Sequence, residues 1–384
     1  MIYRIATASI ALGLATMVIT MLILLGFQET IQDKIYSFSA HLQVRKLTFS
    51  SSYESQPVST QSDFYQSWRS IESLHHVQEY IYKPGLLKHN KEVYGIVLKG
   101  VGQSYDSSRI TPYLKEGRFI RVDTSGYSTE VVISTKIARI MQIALHDEIM
   151  VFFIQKPVRF RKLKVVGIYE TGMEDFDTRQ LFCDIALVRR LNGWEEEQAG
   201  GFEVFVDSKG KIDELQQTVN DAVDADLYSR KSSDVYVQVF DWLQLLRQNV
   251  MIFLIIILVV ACFNMVSILF ILIMERTPMI GMLKALGSTN GQIRSIFRYN
   301  GMLIILRGMA WGNLISIGFG LIQYYFQIIP LDAENYYMEY VPIAWNIPAI
   351  LGMNVLIFVV TYAILIIPTM IISRIQPIKS IRFD

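Results

Sequence analysis

The residues that could do chemistry are few and widely separated. His75 and His76 are adjacent, and adjacent side chains seldom converge on one metal ion, so the pair predicts no metal site. Four carboxylates follow an expected strand: Glu170, Glu174, Asp175 and Asp177. Neighbouring carboxylates can share acid–base work, but a solvated acidic loop is the favoured interpretation and a contact surface for a basic partner the next.

The sequence contains no nucleophile beside a base and no metal-ligand spacing. It also lacks a glycine-rich phosphate loop ending in Lys-Ser or Lys-Thr. We therefore expect no catalytic residue, no metal and no cofactor in this chain, and any ATP-driven work requires a second protein.

A more informative pattern occupies residues 274–287. Its apolar positions recur at the spacing of one helix face, with Ile280 beside them: Met279, Met282, Leu283 and Leu286. The charged and terminal positions are Glu275, Arg276, Lys284 and Gly287. Gly287 predicts the end of this helix, and Ser288 is expected to cap the next one. Such a helix either lies on lipid headgroups or docks into the groove of a partner, and the pattern leaves both open.

The elements around this stretch are membrane-length. A bilayer core needs about 20 apolar residues in a helix, and four segments qualify. They are Ile5–Phe27, Val250–Met274, Gly301–Phe326 and Trp345–Ile372. The first predicts an uncleaved anchor rather than a signal peptide, because its apolar run is long and no small-x-small cleavage site follows.

Charge divides the chain into three parts. Residues 28–247 hold 30 of the 35 acidic and 27 of the 36 basic residues, so they face water. The sequence thus predicts a first span within 1–27, a water-facing domain at 28–247 and a helical membrane domain at 248–384. The net charge of +1 gives no nucleic-acid signature.

The predicted fold class is an α-helical membrane protein with four transmembrane helices and a large α+β extracytoplasmic domain between the first two. Expected strands in that domain cover 41–47, 93–100, 130–134, 148–154, 161–168 and 202–206. Expected helices cover 63–74, 135–143 and 212–223, and both neighbouring spans are expected to continue into it as helical stalks. The two cysteines, Cys183 and Cys262, fall in different parts and predict no disulfide.

The lysines and arginines set the expected orientation. Basic residues concentrate in the loop at 275–300 and in the tail, whereas the loop at 327–346 carries only acidic charges. Because basic loops stay on the inner side, both termini and the loop at 275–300 are expected to be cytoplasmic, with the large domain outside.

Motifs along nearly the whole chain resemble a known family. The membrane domain carries Phe263-Asn264, Met274-Glu275-Arg276, Ala285-Leu286-Gly287, Gln292-Ile293, Phe297, Gly301 and a closing Pro377-Ile378-Lys379-Ser380-Ile381-Arg382-Phe383-Asp384. The external domain carries Lys99-Gly100-Val101, Tyr113-Leu114-Lys115-Glu116-Gly117-Arg118, Ile133-Ser134, Asp147-Glu148 and Val166-Gly167-Ile168-Tyr169. These resemble the FtsX-like permeases of ABC transporters, most closely the Lol-type lipoprotein-releasing permeases (LolC/LolE family) with a MacB-like periplasmic domain.

The resemblance implies a mechanism. Two permease subunits, alike or different, would pair with a separate ABC ATPase that binds ATP and magnesium, and residues 277–287 would be the coupling helix on that ATPase. A lipoprotein would leave the outer leaflet of the bacterial inner membrane and pass to a periplasmic carrier. The outer ends of the first two spans, including Met251, Phe253 and Leu254, are the candidate acyl contacts, although plain lipid-facing or packing roles fit them as well.

Three features depart from the family pattern. The hairpin connection at 155–160 is short where the carrier-binding subunit has a long hook. The family also has a longer cytoplasmic segment before the first span than Met1–Arg4. Arg307 stands where an apolar residue is expected, and snorkelling to the interface accounts for it. A second interpretation of the chain remains: an FtsX- or MacB-like subunit that moves a periplasmic partner and transports nothing.

Overall fold

The computed structural model describes residues 2–47, 54–123, 126–207, 209–332 and 336–371. They form two compact units. The membrane unit takes its residues from 1–30, 241–331 and 340–384, and the domain unit takes residues 31–240 and 332–339. The sequence placed the domain at 28–247; the inclusion of 332–339, the connection between the last two long helices, was not predicted.

Helices are numbered in chain order. They are α1 (Ile2–Ser39), α2 (Asp63–Ser67), α3 (Thr135–Met141), α4 (Glu174–Asp177), α5 (Ile185–Asn192), α6 (Ile212–Ala222), α7 (Ser232–Val235), α8 (Val237–Glu275), α9 (Thr277–Ala285), α10 (Asn290–Phe326) and α11 (Ile347–Ile371).

Strands follow the same convention. They are β1 (Leu42–Lys46), β2 (Val58–Ser59), β3 (Leu74–His89), β4 (Glu92–Val101), β5 (Leu114–Gly117), β6 (Glu130–Ser134), β7 (Glu148–Phe153), β8 (Arg159–Tyr169), β9 (Gln180–Asp184), β10 (Gln198–Ala199), β11 (Gly201–Val206) and β12 (Leu227–Lys231).

The membrane unit contains helices long and apolar enough to cross a bilayer. Among the described residues there are four of them, in α1, α8, α10 and α11. Helix α1 continues past its apolar span into the domain unit, as its stalk was predicted to do, whereas only the first turn of α8, from Val237 to Phe240, belongs to that unit. In α1 the extension is held by Ile31, Ile35 and Phe38, which keep a helical period and are fully buried.

Glycines allow the membrane helices to pack closely. A methyl group at Gly308 would lie 2.7 Å from the Ile10 Cβ, and one at Gly312 would lie 2.9 Å from the Ala11 carbonyl oxygen. Small residues at such crossings let helix backbones approach each other in lipid. Gly308 and Gly312 therefore stand at close crossings of α10 with α1. Gly318 lies elsewhere on the helix surface, and a methyl group there would meet nothing in the described residues within 4 Å.

Polar side chains also join the membrane helices. Asn313 on α10 and Asn354 on α11 exchange two amide hydrogen bonds, of 2.7 and 3.0 Å. Asn264 of α8 donates to the Ser9 hydroxyl of α1 at 3.0 Å. Each bond satisfies a polar group that hydrocarbon could not solvate.

The domain unit is built on one mixed sheet. In the described part of the chain it has ten strands, and β7 pairs with both β3 and β8 outside the main path. The order along that path is β12-β1-β11-β3-β4-β9-β6-β8-β5. Two apolar cores pack on it. One gathers α3, α5 and strands β6 to β9 around Ile133 and Leu181; the other gathers α2 and α6 against β1 and β11 around Phe64 and Phe202.

One predicted element of this unit differs from the structure, and one long strand was not predicted. The helix expected over 63–74 ends at Ser67, and the Ser62 side chain caps its start by accepting from Tyr65 N. A short 3-10 turn follows, because Trp68 turns into the core and the chain enters β3 at Leu74. Strand β3 itself was missed, since Pro84 and Gly85 interrupt its apolar pattern.

Candidate coupling site

Helix α9 begins where α8 is broken by a change in backbone direction. Arg276 leaves the helical conformation, with φ −98° and ψ 11°, while its N–H still donates to the Leu272 carbonyl at 3.2 Å. Pro278 stands in the first turn of α9, where no backbone donor is needed. The Thr277 hydroxyl donates back to the Ile273 carbonyl at 3.1 Å, which ties the two helices together.

The inner face of α9 packs on the membrane unit. Ile280 is 0% exposed and lies in a cluster with Ile293 and Phe297 of α10. Met279 and Leu283 are half-buried against the same cluster. Ile280, predicted among the coupling residues, therefore anchors the helix and presents no surface to a partner. The sequence pattern placed Met279 and Leu283 with the exposed residues because periodicity alone does not say which apolar face is covered.

The outer face of α9 is apolar at its centre and charged at its edge. Met282 is 58% and Leu286 83% exposed. Glu275 and Arg276 are exposed at the start of the helix, and the predicted Lys284 is half-buried beside the apolar centre. A pair of exposed apolar side chains with charges on either side suits a shallow groove of another protein.

The end of α9 is set by backbone geometry. Gly287 has φ +93°, a conformation that glycine adopts at little cost, as the sequence predicted for this position. Ser288 N then donates to the Leu283 carbonyl at 2.9 Å, so its backbone completes α9. The cap of α10 is Thr289 and not Ser288 as expected, because Thr289 forms a reciprocal capping box with Gln292.

The three named candidate acyl contacts lie on α8 and differ in exposure. Met251 is 45% and Phe253 61% exposed. Leu254 is 4% exposed and packs with Leu14 and Leu22 of α1, so it holds two helices together. Its burial fits the packing role that the sequence left open for this residue.

Both histidines and the buried Asp177 of the domain unit have structural partners. His75 lies 3.2 Å from Asp207, whereas His76 contacts the Ser104 carbonyl at 2.7 Å, so the two rings have different partners. Asp177 is buried and accepts bonds from the Thr171 hydroxyl and backbone and from Gly172 N. Burial raises the pKa of Asp177 despite these bonds. The acidic loop at 170–177 is thus only partly solvated, because the buried Asp177 carboxylate holds the turn around Thr171 and Gly172.

The short hairpin between β7 and β8 and the two unpaired cysteines were also predicted from the sequence. Strands β7 and β8 are joined by a short turn, as predicted, and Ile154, Val158 and Phe160 are exposed there. Cys183 and Cys262 are both buried and unpaired. The closing motif from Pro377 to Asp384 lies outside the described residues.

Comparison with family models decides what this arrangement is. A model of the FtsX-like permease C-terminal region matches residues 251–377, and a model of the MacB-like periplasmic core domain matches residues 5–222, more than half of the chain. The chain belongs to the family of FtsX-like ABC transporter permeases with a MacB-like periplasmic core domain. Both expected modules are confirmed, and α9 is the helix between the first two spans of the permease module.

The permease is similar to curated relatives along its entire length. It is 22% identical to the lipoprotein-releasing system transmembrane protein LolC of Haemophilus influenzae and 20% identical to that of Neisseria meningitidis. Each comparison covers 100% of this chain and 94% of the relative. The periplasmic region of MacB from Actinobacillus actinomycetemcomitans superposes with a TM-score of 0.36 at 16% identity, over 52% of this chain and 91% of that one.

Proposed function

We propose that this permease extracts lipoproteins from the outer leaflet of the inner membrane and passes them to a periplasmic carrier. The observation that carries the proposal is the similarity to LolC over the whole length of the chain. Extraction needs an energy source, because each acyl CH₂ returned to water costs about 0.8 kcal/mol. The permease would obtain that energy from ATP and magnesium bound by a separate ATPase.

The ATPase would dock on the outer face of α9. Met282 and Leu286 offer the apolar contact, and Glu275 and Arg276 the charged edge. The basic residues of the loop at 275–300 support a cytoplasmic position for α9 and for both termini. Ile280 and Phe297 would carry a push on α9 into the membrane helices, since they pack directly beneath it.

A second permease subunit would complete the transporter. The apolar side of α8 around Met251 and Phe253 is exposed in the single chain and would face that subunit, lipid or an acyl chain. The exposed apolar side chains of Val158 and Phe160, at the short hairpin, would offer a small contact for the carrier in place of a long hook.

A co-purification experiment tests the proposal. The full-length permease is solubilised in mild detergent, and bound proteins are identified by mass spectrometry for wild type, Leu286→Asp and Ile154→Asp. Ile154→Asp is the matched control, because it also places a carboxylate on an exposed apolar residue (80% exposed) but lies far along the chain from α9. We expect an ABC ATPase in wild type and Ile154→Asp, its loss in Leu286→Asp, and triacylated lipoproteins in wild type.

The alternative is a subunit that moves a periplasmic partner without transport. The uninterrupted helices α1 and α8 favour it, since each could carry motion from a span into the domain unit. An ATPase that co-purifies with an envelope hydrolase and without lipoproteins would favour this alternative. Wild-type protein without any ABC ATPase would contradict the role of α9 and with it both functions.

A further inference from the structure

Arg307 is a charge on an exposed face of α10 that the proposed function does not use. It stands within a membrane-length helix, and Trp311 and Leu314, at the i+4 and i+7 positions of the same face, are exposed with it. Within the described residues the Arg307 side chain makes no hydrogen bond and no ion pair. Its guanidinium carries five N–H donors and keeps its charge, so a partner outside this chain has to satisfy it.

A second arginine, Arg4 of α1, stands near the same depth in the membrane unit. A methyl group at Gly308 would lie 3.1 Å from the Thr7 carbonyl, and the next such crossing, at Gly312, comes one turn further along both helices. Helices α1 and α10 therefore run side by side in one direction. Arg4 continues the Thr7 face of α1 one turn earlier. The Arg307 side chain leans back toward the start of α10, so the two guanidinium groups come to nearly one level.

The polar groups at this level can donate together to one anion. In the described part of the chain, neither the exposed Arg4 nor the half-buried Asn300 forms a side-chain hydrogen bond. Asn300 stands two turns before Arg307 on the same face of α10, on the side toward which the arginine leans. A phosphate only accepts hydrogen bonds, and guanidinium groups bind it strongly.

A second copy of this chain offers no carboxylate at that level. Among its described residues the membrane unit has three carboxylates, and two of them, Glu29 and Asp241, stand at the opposite ends of the first two spans. The third is Glu275. Helix α8 passes Ser9 of α1 at Asn264, and Glu275 lies about 16 Å further along the helix. A symmetric copy in the same membrane would therefore place Glu275 well away from the level of the two arginines.

A lipid headgroup supplies the missing anion at this depth. Phospholipid phosphates lie where a span leaves the hydrocarbon, and an arginine near a helix end extends its charged group to that level. A zwitterionic headgroup also carries a cation, which two arginines without a carboxylate repel, so a lipid with net negative charge is favoured. Trp311 stands one turn deeper than Arg307, where an indole can pack on the glycerol and the first acyl carbons.

We propose that Arg4 and Arg307 bind the phosphate of an anionic phospholipid, at the end of the membrane unit that carries the basic loop at 275–300. Asn300 is a further donor, and Trp311 packs on the lipid below its headgroup. The site requires neither the lipoprotein cargo nor the ATPase. A permease that releases no lipoprotein could still bind this lipid, so the two proposals fail separately.

The test measures lipid binding to the full-length permease by native mass spectrometry. The delipidated protein in detergent is titrated with phosphatidylglycerol and, separately, with phosphatidylcholine, and the first bound lipid gives an apparent Kd. Arg307→Leu and Arg4→Gln each remove one cation, whereas Arg307→Lys keeps the charge. Arg298→Gln is the matched control, because Arg298 is exposed on the same helix but about two and a half turns earlier, on the opposite side. Thermal unfolding of each variant without lipid shows that it is folded.

We expect phosphatidylglycerol to bind at least tenfold more tightly than phosphatidylcholine. Arg307→Leu and Arg4→Gln should each weaken phosphatidylglycerol binding about tenfold, as expected for the loss of a hydrogen bond between charged groups. Arg307→Lys should weaken it less, and Arg298→Gln should leave it within about twofold.

Four outcomes would overturn the proposal. They are equal affinity for the two lipids, wild-type affinity in whichever of Arg307→Leu and Arg4→Gln folds, an equal loss in Arg298→Gln, and displacement of the lipid by inorganic phosphate at the same concentration. An equal loss in Arg298→Gln would mean general attraction to basic residues. A dimer that Arg307→Leu converts to a monomer, with lipid affinity unchanged, would assign Arg307 to the second permease subunit.

Discussion

The Nζ of Lys99 lies 2.5 Å from Oε1 of Glu203 in the interior of the domain unit, where the two side chains are 0% and 1% exposed. The same ammonium donates to the Phe38 carbonyl at 2.6 Å, and Gln78 donates to the other Glu203 oxygen at 2.8 Å. One buried network thus joins the last turn of α1 to β4, β11 and β3.

Removing one partner of this pair should be costly. Lys99→Met leaves the Glu203 carboxylate buried and unpaired, so we expect the free energy of unfolding to fall by about 3–5 kcal/mol. Chemical denaturation of the detergent-solubilised protein measures the loss. Adding Glu203→Gln should recover most of it, because the amide can still accept from Gln78 without a buried charge.

The exposed lysine Lys115 provides the comparison. It pairs with Glu170 at 3.4 Å and Glu339 at 3.2 Å, with its side chain 48% exposed. Lys115→Met should cost no more than about 1 kcal/mol, since solvent already weakens such pairs. If Lys99→Met proves as mild as Lys115→Met, the network does not hold the end of α1.

Substitutions in α9 should separate anchoring from docking. Ile280→Ala empties a fully buried position and should lower the free energy of unfolding by about 2–5 kcal/mol. Leu286→Ala should leave stability within about 0.5 kcal/mol, because its side chain is exposed, yet reduce ATPase binding. Thermal unfolding and co-purification of the ATPase provide the two measurements. The reverse result would be intact ATPase binding in Leu286→Ala and intact stability in Ile280→Ala. It would mean that α9 packs on the membrane unit with its Leu286 face and exposes its Ile280 face.

Glycines on α10 offer a matched pair of methyl insertions. Gly308→Ala places a methyl 2.7 Å from the Ile10 Cβ and 3.1 Å from the Thr7 carbonyl, so we expect a loss of about 1–3 kcal/mol. Gly318→Ala adds the same methyl in open space and should be neutral or stabilising, since alanine favours the helix. Midpoints of thermal unfolding should fall for the first variant only; equal midpoints would argue against close packing of α1 and α10.

Acid should weaken one ion pair of the domain unit. The Glu130 carboxylate accepts from Arg118 Nη1 at 2.8 Å and from Arg121 N at 2.9 Å. The Arg118 hydrogen bond is the main reason that the pKa of Glu130 lies below its ordinary value of 4.5. The stability that the ionised Glu130 carboxylate contributes is therefore complete above pH 4.5 and is lost as the pH falls through the lowered pKa.

The corresponding measurement compares thermal unfolding midpoints between pH 5 and pH 3. Wild type should lose more stability over this range than Glu130→Gln, which has no proton to take up at this position. Arg118→Met should flatten the same part of the pH profile. Since the pair is partly exposed, the effect should be small; parallel profiles in all three proteins would show that the pair does not contribute.

The long elements were predictable because their signals are local. Four apolar runs of membrane length gave the spans, and Ile31, Ile35 and Phe38 revealed from their spacing that α1 continues. Short strands such as β6 were predicted to the residue because an apolar run ends at Ser134, which caps α3.

The missed features depend on residues distant in sequence. Nothing local indicates that Lys99 meets Glu203, 104 positions further along the chain. The same applies to residues 332–339, which join the domain unit partly because Lys34 donates to the Tyr337 carbonyl at 2.5 Å and to the Thr171 carbonyl at 2.6 Å. In α9, the apolar pattern was visible, but the burial of Ile280 depends on α10.

Because α1 is one continuous helix, the directions in which its side chains leave the helix axis are fixed relative to one another. Ala6 and Leu22 both pack in the membrane unit, in two different apolar clusters, and both stand on one helix. One inserted residue between them would turn everything beyond it by about 100° and advance it by about 1.5 Å, so the two packings could not both survive. Seven inserted residues would restore the angle to within about 20°. Insertions or deletions between these residues are therefore tolerated only near whole numbers of helical turns. This constraint comes from the geometry of the helix and not from any single side chain.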